Sequence, residues 1–274
     1  MELALNAATT MKAGFDADLD AYAAAGWSAI ELWLDKLGPY LERHSLEEAR
    51  RRLRDSGLAV AGACYHFGVM LSQGEDRARN LDEFRRKLEW CEALGAPVLV
   101  VPTDFPEGPV LAADYERAAR GLREAADLAQ PHGVALAVEF IKGAKLVGTV
   151  ATARDLVRRS GSDNVGLLLD TFHFSVGASK LADIATLHPA ELRLVHINDL
   201  GPVPFEIAED RDRVFPGDGV LPLQSILEAA SAAGYTGYLS LELFDEALWA
   251  RPPEEAARLA FARASRFLHE LSLS

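Results

Sequence analysis

The chain has 274 residues, 49% of them hydrophobic and 25% charged, with 28 Lys and Arg against 41 Asp and Glu for a formal charge of -13. This balance excludes a disordered or collagen-like chain, and it argues against nucleic acid as the main partner, because a polyanion is held by counterions released through Lys and Arg. No segment reaches the roughly 18 apolar residues of a membrane span, and the start, Met1 to Asn6, has no signal-like basic and apolar pattern; a cytoplasmic protein that avoids membranes is expected.

Short β-rich runs alternate with helical patterns along the whole chain. The first run is Leu3 to Ala7 and the second Ala29 to Leu34; Ser45 to Ser56 then has helical spacing and opens on a capping box, Ser45 with Glu48. A third run, Leu58 to Tyr65, precedes a helical pattern from Ala78 to Leu94, and a fourth, Pro97 to Val101, precedes one from Asp114 to Gln130. Val134 to Ile141, Val165 to Leu169, Leu192 to Ile197 and Tyr238 to Leu243 complete a set of eight, with a further helical pattern at Leu223 to Ala233. Gly26, Gly57, Gly95, Gly133 and Gly234 each follow a helical pattern, where a left-handed residue ends a helix at little cost.

Eight strands in 274 residues leave about 34 residues per βα unit. A doubly wound sheet would announce a nucleotide with a glycine fingerprint, and none is present; Gly143 to Thr149 (GAKLVGT) lacks the Lys that a P-loop needs before its Thr. No linker or low-complexity tract divides the chain. The expected fold is α/β, one (β/α)8 TIM-barrel domain over residues 1–274. Cys64 and Cys91 are isolated and are expected to be reduced, buried thiols.

A barrel of this type builds its site at the C-terminal ends of the strands, so polar residues that close an apolar run are the informative ones. Glu139 closes the fifth run, Asp170 the sixth, His196 follows Leu194-Val195 in the seventh, and Glu242 closes the eighth. Three carboxylates converging on one mouth repel one another and lose solvation, a conflict that a divalent cation removes. Two Glu, one Asp and one His form an oxygen and nitrogen shell that suits Mn²⁺, Mg²⁺, Co²⁺ or Zn²⁺ without choosing among them. Taken singly, each carboxylate reads as a helix cap and the His as a core residue; the four together read as metal ligands.

His173 lies close enough to point into the mouth, Asp199 follows His196 by three residues, and Glu31 and His66 end the second and third runs. Asp199 and His66 are candidate substrate contacts, with loop-anchoring hydrogen bonds an equal reading for Glu31 and His66; Trp33 and Phe67 are expected to be apolar walls. The connection from about Asn198 to Val220 is long, and a loop of more than about 12 residues is usually functional. It carries Arg211 and Arg213, and one Arg there can donate to a substrate oxygen.

At these residues the sequence resembles the sugar phosphate isomerase/epimerase superfamily of xylose isomerase-like TIM barrels. The resemblance spans essentially the whole chain and rests on Glu139, Asp170-Thr171-Phe172-His173, Val195-His196-Ile197-Asn198-Asp199, the run Asp212 to Gly219 (DRVFPGDG) and Leu241-Glu242-Leu243-Phe244. Within it, Asp-Arg-Val-x-Pro-Gly-x-Gly followed by Glu-Leu-Phe is most similar to the inosose (2-keto-myo-inositol) isomerases. The resemblance implies an enzyme that moves a carbonyl between neighbouring carbons of a polyol ketone, one divalent metal ion held by Glu139, Asp170, His196 and Glu242, and substrate oxygens met by His173 and Arg213. It also implies Glu139 and Glu242 as the acid/base pair.

A metal that chelates a ketone and its neighbouring hydroxyl favours an enediolate, which a nearby carboxylate can form and reprotonate. An inosose or dehydroshikimate dehydratase and a ketose 3-epimerase are the rival readings on the same shell, and a non-catalytic metal- or sugar-binding barrel is the rival of a different class. Endonuclease IV-like chemistry would need more metal ligands and a basic face. The sequence does not give the oligomeric state.

Overall fold

In the computed structural model, which describes residues 1–273, eight parallel strands close into a barrel in the order β1-β10-β7-β6-β5-β4-β3-β2. They are β1 (Glu2–Asn6), β2 (Ala29–Trp33), β3 (Ala59–Cys64), β4 (Val98–Pro102), β5 (Ala135–Glu139), β6 (Val165–Asp170), β7 (Leu192–Ile197) and β10 (Tyr238–Leu241). Between β7 and β10 two short strands, β8 (Asp199–Leu200) and β9 (Arg213–Val214), form an antiparallel ribbon. The eight expected runs all become barrel strands. The expected second run overshoots because Leu34 already begins the helix Leu34–Leu41.

The strands are apolar along their length because helices cover them outside and side chains fill them inside; β4 and β6 are buried at every position. The barrel interior is lined by Val98, Val100, Ala137, Leu168 and Leu194, with Ala4, Ala29 and Ala61 forming a separate small-residue cluster. The larger core lies between sheet and helices. Side chains alternate along a strand, so the interior positions Leu168 and Leu194 put Asp170 and His196 on the same inner face, level with each other across the β6–β7 ladder.

Helix ends follow the chain's local chemistry. Ser45 and Glu48 form the expected capping box at the start of Leu46–Ser56, and all five expected glycines adopt positive φ, from 69° at Gly133 to 93° at Gly26. The helix expected from Ala78 starts earlier, at Gly74. Cys64 and Cys91 are buried free thiols. Among the described residues no helix is long and apolar enough to cross a membrane.

Candidate metal centre and active site

Glu139, Asp170, His196 and Glu242 meet at the C-terminal mouth of the barrel, each offering one ligand atom, and these atoms all lie within 4.8 Å of one another. All four are buried. Asp170 divides its carboxylate between two tasks. One oxygen caps the short helix Thr171–Val176 by accepting from the His173 backbone N–H at 2.7 Å, and the other faces the cluster, where Asn198 Nδ2 donates to it at 2.9 Å. The cap reading of this residue is therefore realised, with its second oxygen left facing the cluster.

His196 is fixed from behind. Its Nε2 lies 3.0 Å from both oxygens of Glu31, so Nε2–H donates there, and Nδ1 faces the carboxylates of Glu242 (3.3 Å), Glu139 (3.9 Å) and Asp170 (3.9 Å) without a hydrogen-bond partner. A buried imidazole nitrogen left unpaired among carboxylate oxygens is costly unless a cation joins them. The donor set of three carboxylates and one imidazole fits a divalent ion.

Arg213 enters from β9 and donates through Nη1 to Asp170 (2.8 Å) and Glu242 (2.9 Å), and through Nη2 to Asp210 (2.7 Å) and His173 Nε2 (3.3 Å). Its guanidinium sits over Phe172 and Phe244, 4.7 and 5.3 Å from the ring centroids. The three carboxylates of Glu139, Asp170 and Glu242 against one guanidinium leave a formal excess of two negative charges. Burial, reinforced by Glu242 and Asp170, pushes the Glu139 carboxyl up to about 8. Burial also opposes ionisation of Asp170, but Arg213, His173 and His196 outweigh it and hold that group down to about 2. His196 is raised well above the ordinary histidine range: burial works against its charge, and Glu242 and Glu31 overcome it. Burial and the neighbouring carboxylates thus disfavour charge on Glu139 and favour it on His196, the places where a divalent cation would supply the missing charge.

Beside the cluster is a cavity of about 270 Å³, lined on its polar side by Glu139, Glu242, His173 and Arg213, with Trp33, Tyr65, Phe67 and Phe244 among its apolar walls. The rings meet edge to face, Trp33 with Tyr65 at 4.8 Å and Tyr65 with Phe67 at 4.8 Å.

Three expectations need correction. Asp199, read as a possible substrate contact, has both oxygens taken by backbone N–H groups of Leu200 and Leu221 (both 2.8 Å) and of Gly217 and Gly219 (both 3.1 Å), so it clamps the long loop. Gly219 has no room for a side chain, since a Cβ there would lie 2.3 Å from the Leu200 carbonyl oxygen. The Pro-Gly-Asp-Gly motif thereby serves to seat the β8–β9 ribbon that carries Arg213. His66 Nε2–H donates to Asn80 Oδ1 (3.2 Å) and the ring packs on Phe84, away from the cavity lining. Glu31 does not end β2; it lies inside that strand, with its side chain in the barrel interior. Of the two loop arginines, Arg213 faces the site, while Arg211 is largely exposed and pairs with Glu209.

Sequence reasoning missed Asn6, Asn198 and Asp210. Asn6 closes the apolar run of β1 and donates to Glu242 at 3.2 Å, so the rule that found Glu139 would have found it. Asn198 closes the seventh run by the same rule, whereas Asp210 lies in loop sequence with no pattern to mark it.

A family model described as xylose isomerase-like TIM barrel matches residues 19–267. The chain is 30% identical to the inosose isomerase of Halalkalibacterium halodurans, over 95% of this chain and 94% of that one, and 31% identical to the inosose isomerase of Bacillus licheniformis over 95% of each. It is also 31% identical to a 3-dehydroshikimate dehydratase of Pseudomonas aeruginosa, over 85% of this chain but 37% of that protein. A solved structure of an IOLI protein with a binding zinc atom superposes with a TM-score of 0.90 at 27% identity, over 99% of this chain and 98% of that one.

Proposed function

The chain belongs to the xylose isomerase-like TIM barrel family, and from that premise we propose that it is a divalent-metal-dependent isomerase of a small polyol ketone, with 2-keto-myo-inositol as substrate. The observation that carries this reading is His196 Nδ1, buried and unpaired among three carboxylate oxygens at the edge of the cavity. The inosose isomerases to which the chain is similar over nearly its whole length support the substrate, and the zinc of the IOLI structure supports a metal. Mn²⁺, Mg²⁺ and Co²⁺ suit the same donors.

Glu139, Asp170, His196 and Glu242 would hold the ion, and a bound cation supplies Lewis acidity that makes a C–H beside a ketone more acidic. The rest is done by side chains. Glu139 and Glu242 reach the cavity from strands separated by two others in the barrel order, so one carboxylate can take a proton from a ring carbon while the second serves its neighbour. Arg213 donates to Asp170 and Glu242, holds the Asp170 carboxylate in its ionised form, and presents N–H groups toward substrate oxygens, beside His173. Trp33, Tyr65, Phe67 and Phe244 wall the cavity and confine a substrate ring against the two carboxylates.

The test is isotopic. In D₂O with 2-keto-myo-inositol and added metal, NMR should reveal a new inosose isomer with deuterium at a carbon next to the carbonyl and no other change of mass. Glu139→Gln and Glu242→Gln should each suppress exchange at saturating metal by about 100-fold or more. A product lighter by one water would replace this reading with the dehydratase one, and inversion at a single carbon with the carbonyl unmoved would replace it with an epimerase.

A further inference from the structure

Glu31 is a carboxylate with no exposed surface, in the middle of β2, on a part of the barrel that contributes no ligand to the proposed metal site. A buried carboxylate costs several kcal/mol unless its partners repay it, so its partners state its task. Both oxygens lie 3.0 Å from His196 Nε2. On its other side the Cys64 thiol donates to Oε1 at 2.9 Å, and Asn6 Nδ2 donates both to the Cys64 sulfur (3.6 Å) and to Glu242 Oε1 (3.2 Å). A continuous path, Glu242 to Asn6 to Cys64 to Glu31 to His196, therefore links two of the four candidate ligands.

We propose that Glu31 is a positioning residue that sets the metal affinity of this site by fixing the ring orientation and tautomer of His196. The inference rests on the metal-dependent reading above. The bidentate contact commits the proton to Nε2, so the lone pair that faces the three carboxylates is that of Nδ1, and the negative charge behind the ring strengthens that nitrogen as a donor. The thiol is a weak donor, so it satisfies one lone pair of Glu31 while leaving the carboxylate's charge directed at the imidazole. A Lys or Arg in place of Cys64 would have neutralised it. Asn6 does the corresponding service for Glu242, holding Oε1 and leaving Oε2 toward the cluster.

The experiment measures binding of Zn²⁺ and Co²⁺ to metal-free protein by competition with a chromophoric chelator, for the wild type, Glu31→Gln and Glu31→Ala. Glu31→Gln keeps the shape and loses the charge, and should raise Kd about 10-fold; Glu31→Ala should raise it by about 10- to 100-fold. Both should shift the visible absorption of bound Co²⁺. On a His196→Ala background the Glu31 substitutions should cost nothing further, because the residue acts through the imidazole. In the loaded wild type, ¹⁵N NMR should find the His196 proton on Nε2. A proton on Nδ1, unchanged Kd in folded Glu31 variants, or equal losses with and without His196 would overturn the proposal, the last by marking Glu31 as a general support of the fold. If the wild type binds no metal, this inference and the metal-dependent reading fall together; if the wild type binds metal and the Glu31 variants bind it as tightly, only this inference falls.

Discussion

Two buried ionic clusters among the described residues differ in how completely their hydrogen bonds are used. Near the start of the chain, Lys36 donates to the carbonyls of Ala7 (2.7 Å) and Thr10 (2.8 Å) and to Asp18 (2.7 Å), spending all three of its protons. The other Asp18 oxygen accepts from the Thr10 hydroxyl at 2.7 Å, and that hydroxyl also meets Tyr22. One positive charge meets one negative charge and nothing is left over. At the mouth, the ligand carboxylates outnumber Arg213 three to one, and Nδ1 of both His173 and His196 is buried without a partner. The first cluster is closed and ties a turn to two helices; the second is left with excess negative charge and unpaired buried nitrogens. Incomplete satisfaction, more than burial or charge, separates a functional cluster from a structural one.

The largest expected effect lies in the open cluster. Chelation of divalent metal should lower turnover at least about a thousandfold, with recovery on adding Mn²⁺, Co²⁺, Mg²⁺ or Zn²⁺. Asp170→Asn should lose most of the metal affinity and also lower stability, followed by urea denaturation, by about 2 kcal/mol, because Arg213, His173 and His196 favour the ionised carboxylate. Full metal occupancy in Asp170→Asn, measured by elemental analysis, would contradict the ligand assignment.

The closed cluster should respond in stability alone. Lys36→Met leaves Asp18 buried without its charge partner and should cost about 3–5 kcal/mol of stability, with metal affinity unchanged in the folded fraction. A loss below about 1 kcal/mol would mean that the pair contributes little beyond its own desolvation.

That desolvation has its own pH signature. Burial, partly offset by Lys36, pushes the Asp18 carboxyl up to about 6, above its unfolded range near 4. Between those values the folded state binds the extra proton, so stability from this group falls as pH rises from about 4 to about 6 and is level on either side. The total is about 3 kcal/mol, read as the difference between the stability curves of wild type and Asp18→Asn across that range. Parallel curves would show that Asp18 stays ionised throughout.

The mouth was more legible in sequence than its supports. Glu139, Asp170, His196 and Glu242 were visible because each closes or nearly closes an apolar run, and a barrel turns such positions toward one point. Glu31 has the same apolar neighbours, but its task depends on which side chain crosses the barrel to meet it, and spacing along one chain holds no such information. Asp199 misled because a carboxylate near a site and a carboxylate that anchors the loop over that site have the same sequence neighbourhood. The eight strands were readable from alternation and glycine punctuation, whereas the β8–β9 ribbon, with two residues on each side, is too short for any period to register.

The smallest expected effect concerns the loop, where Arg211 and Arg213 stand two residues apart and were indistinguishable by pattern. The ribbon decides between them. Leu200 pairs with Arg213 in register, and Asp199 locks the far side of the loop, so the Arg213 side chain is delivered inward with 1% exposure. Arg211 belongs to the three-residue turn Asp210–Asp212 and keeps 74% of its side chain in solvent, in a pair with Glu209 of the kind that contributes little. Arg211→Ala should therefore change stability by less than about 0.5 kcal/mol and leave kcat and KM at wild-type values, while Arg213→Ala should lower kcat/KM about 100-fold with metal still bound. A kinetic loss in Arg211→Ala equal to that of Arg213→Ala would mean that the loop changes its seating when substrate enters.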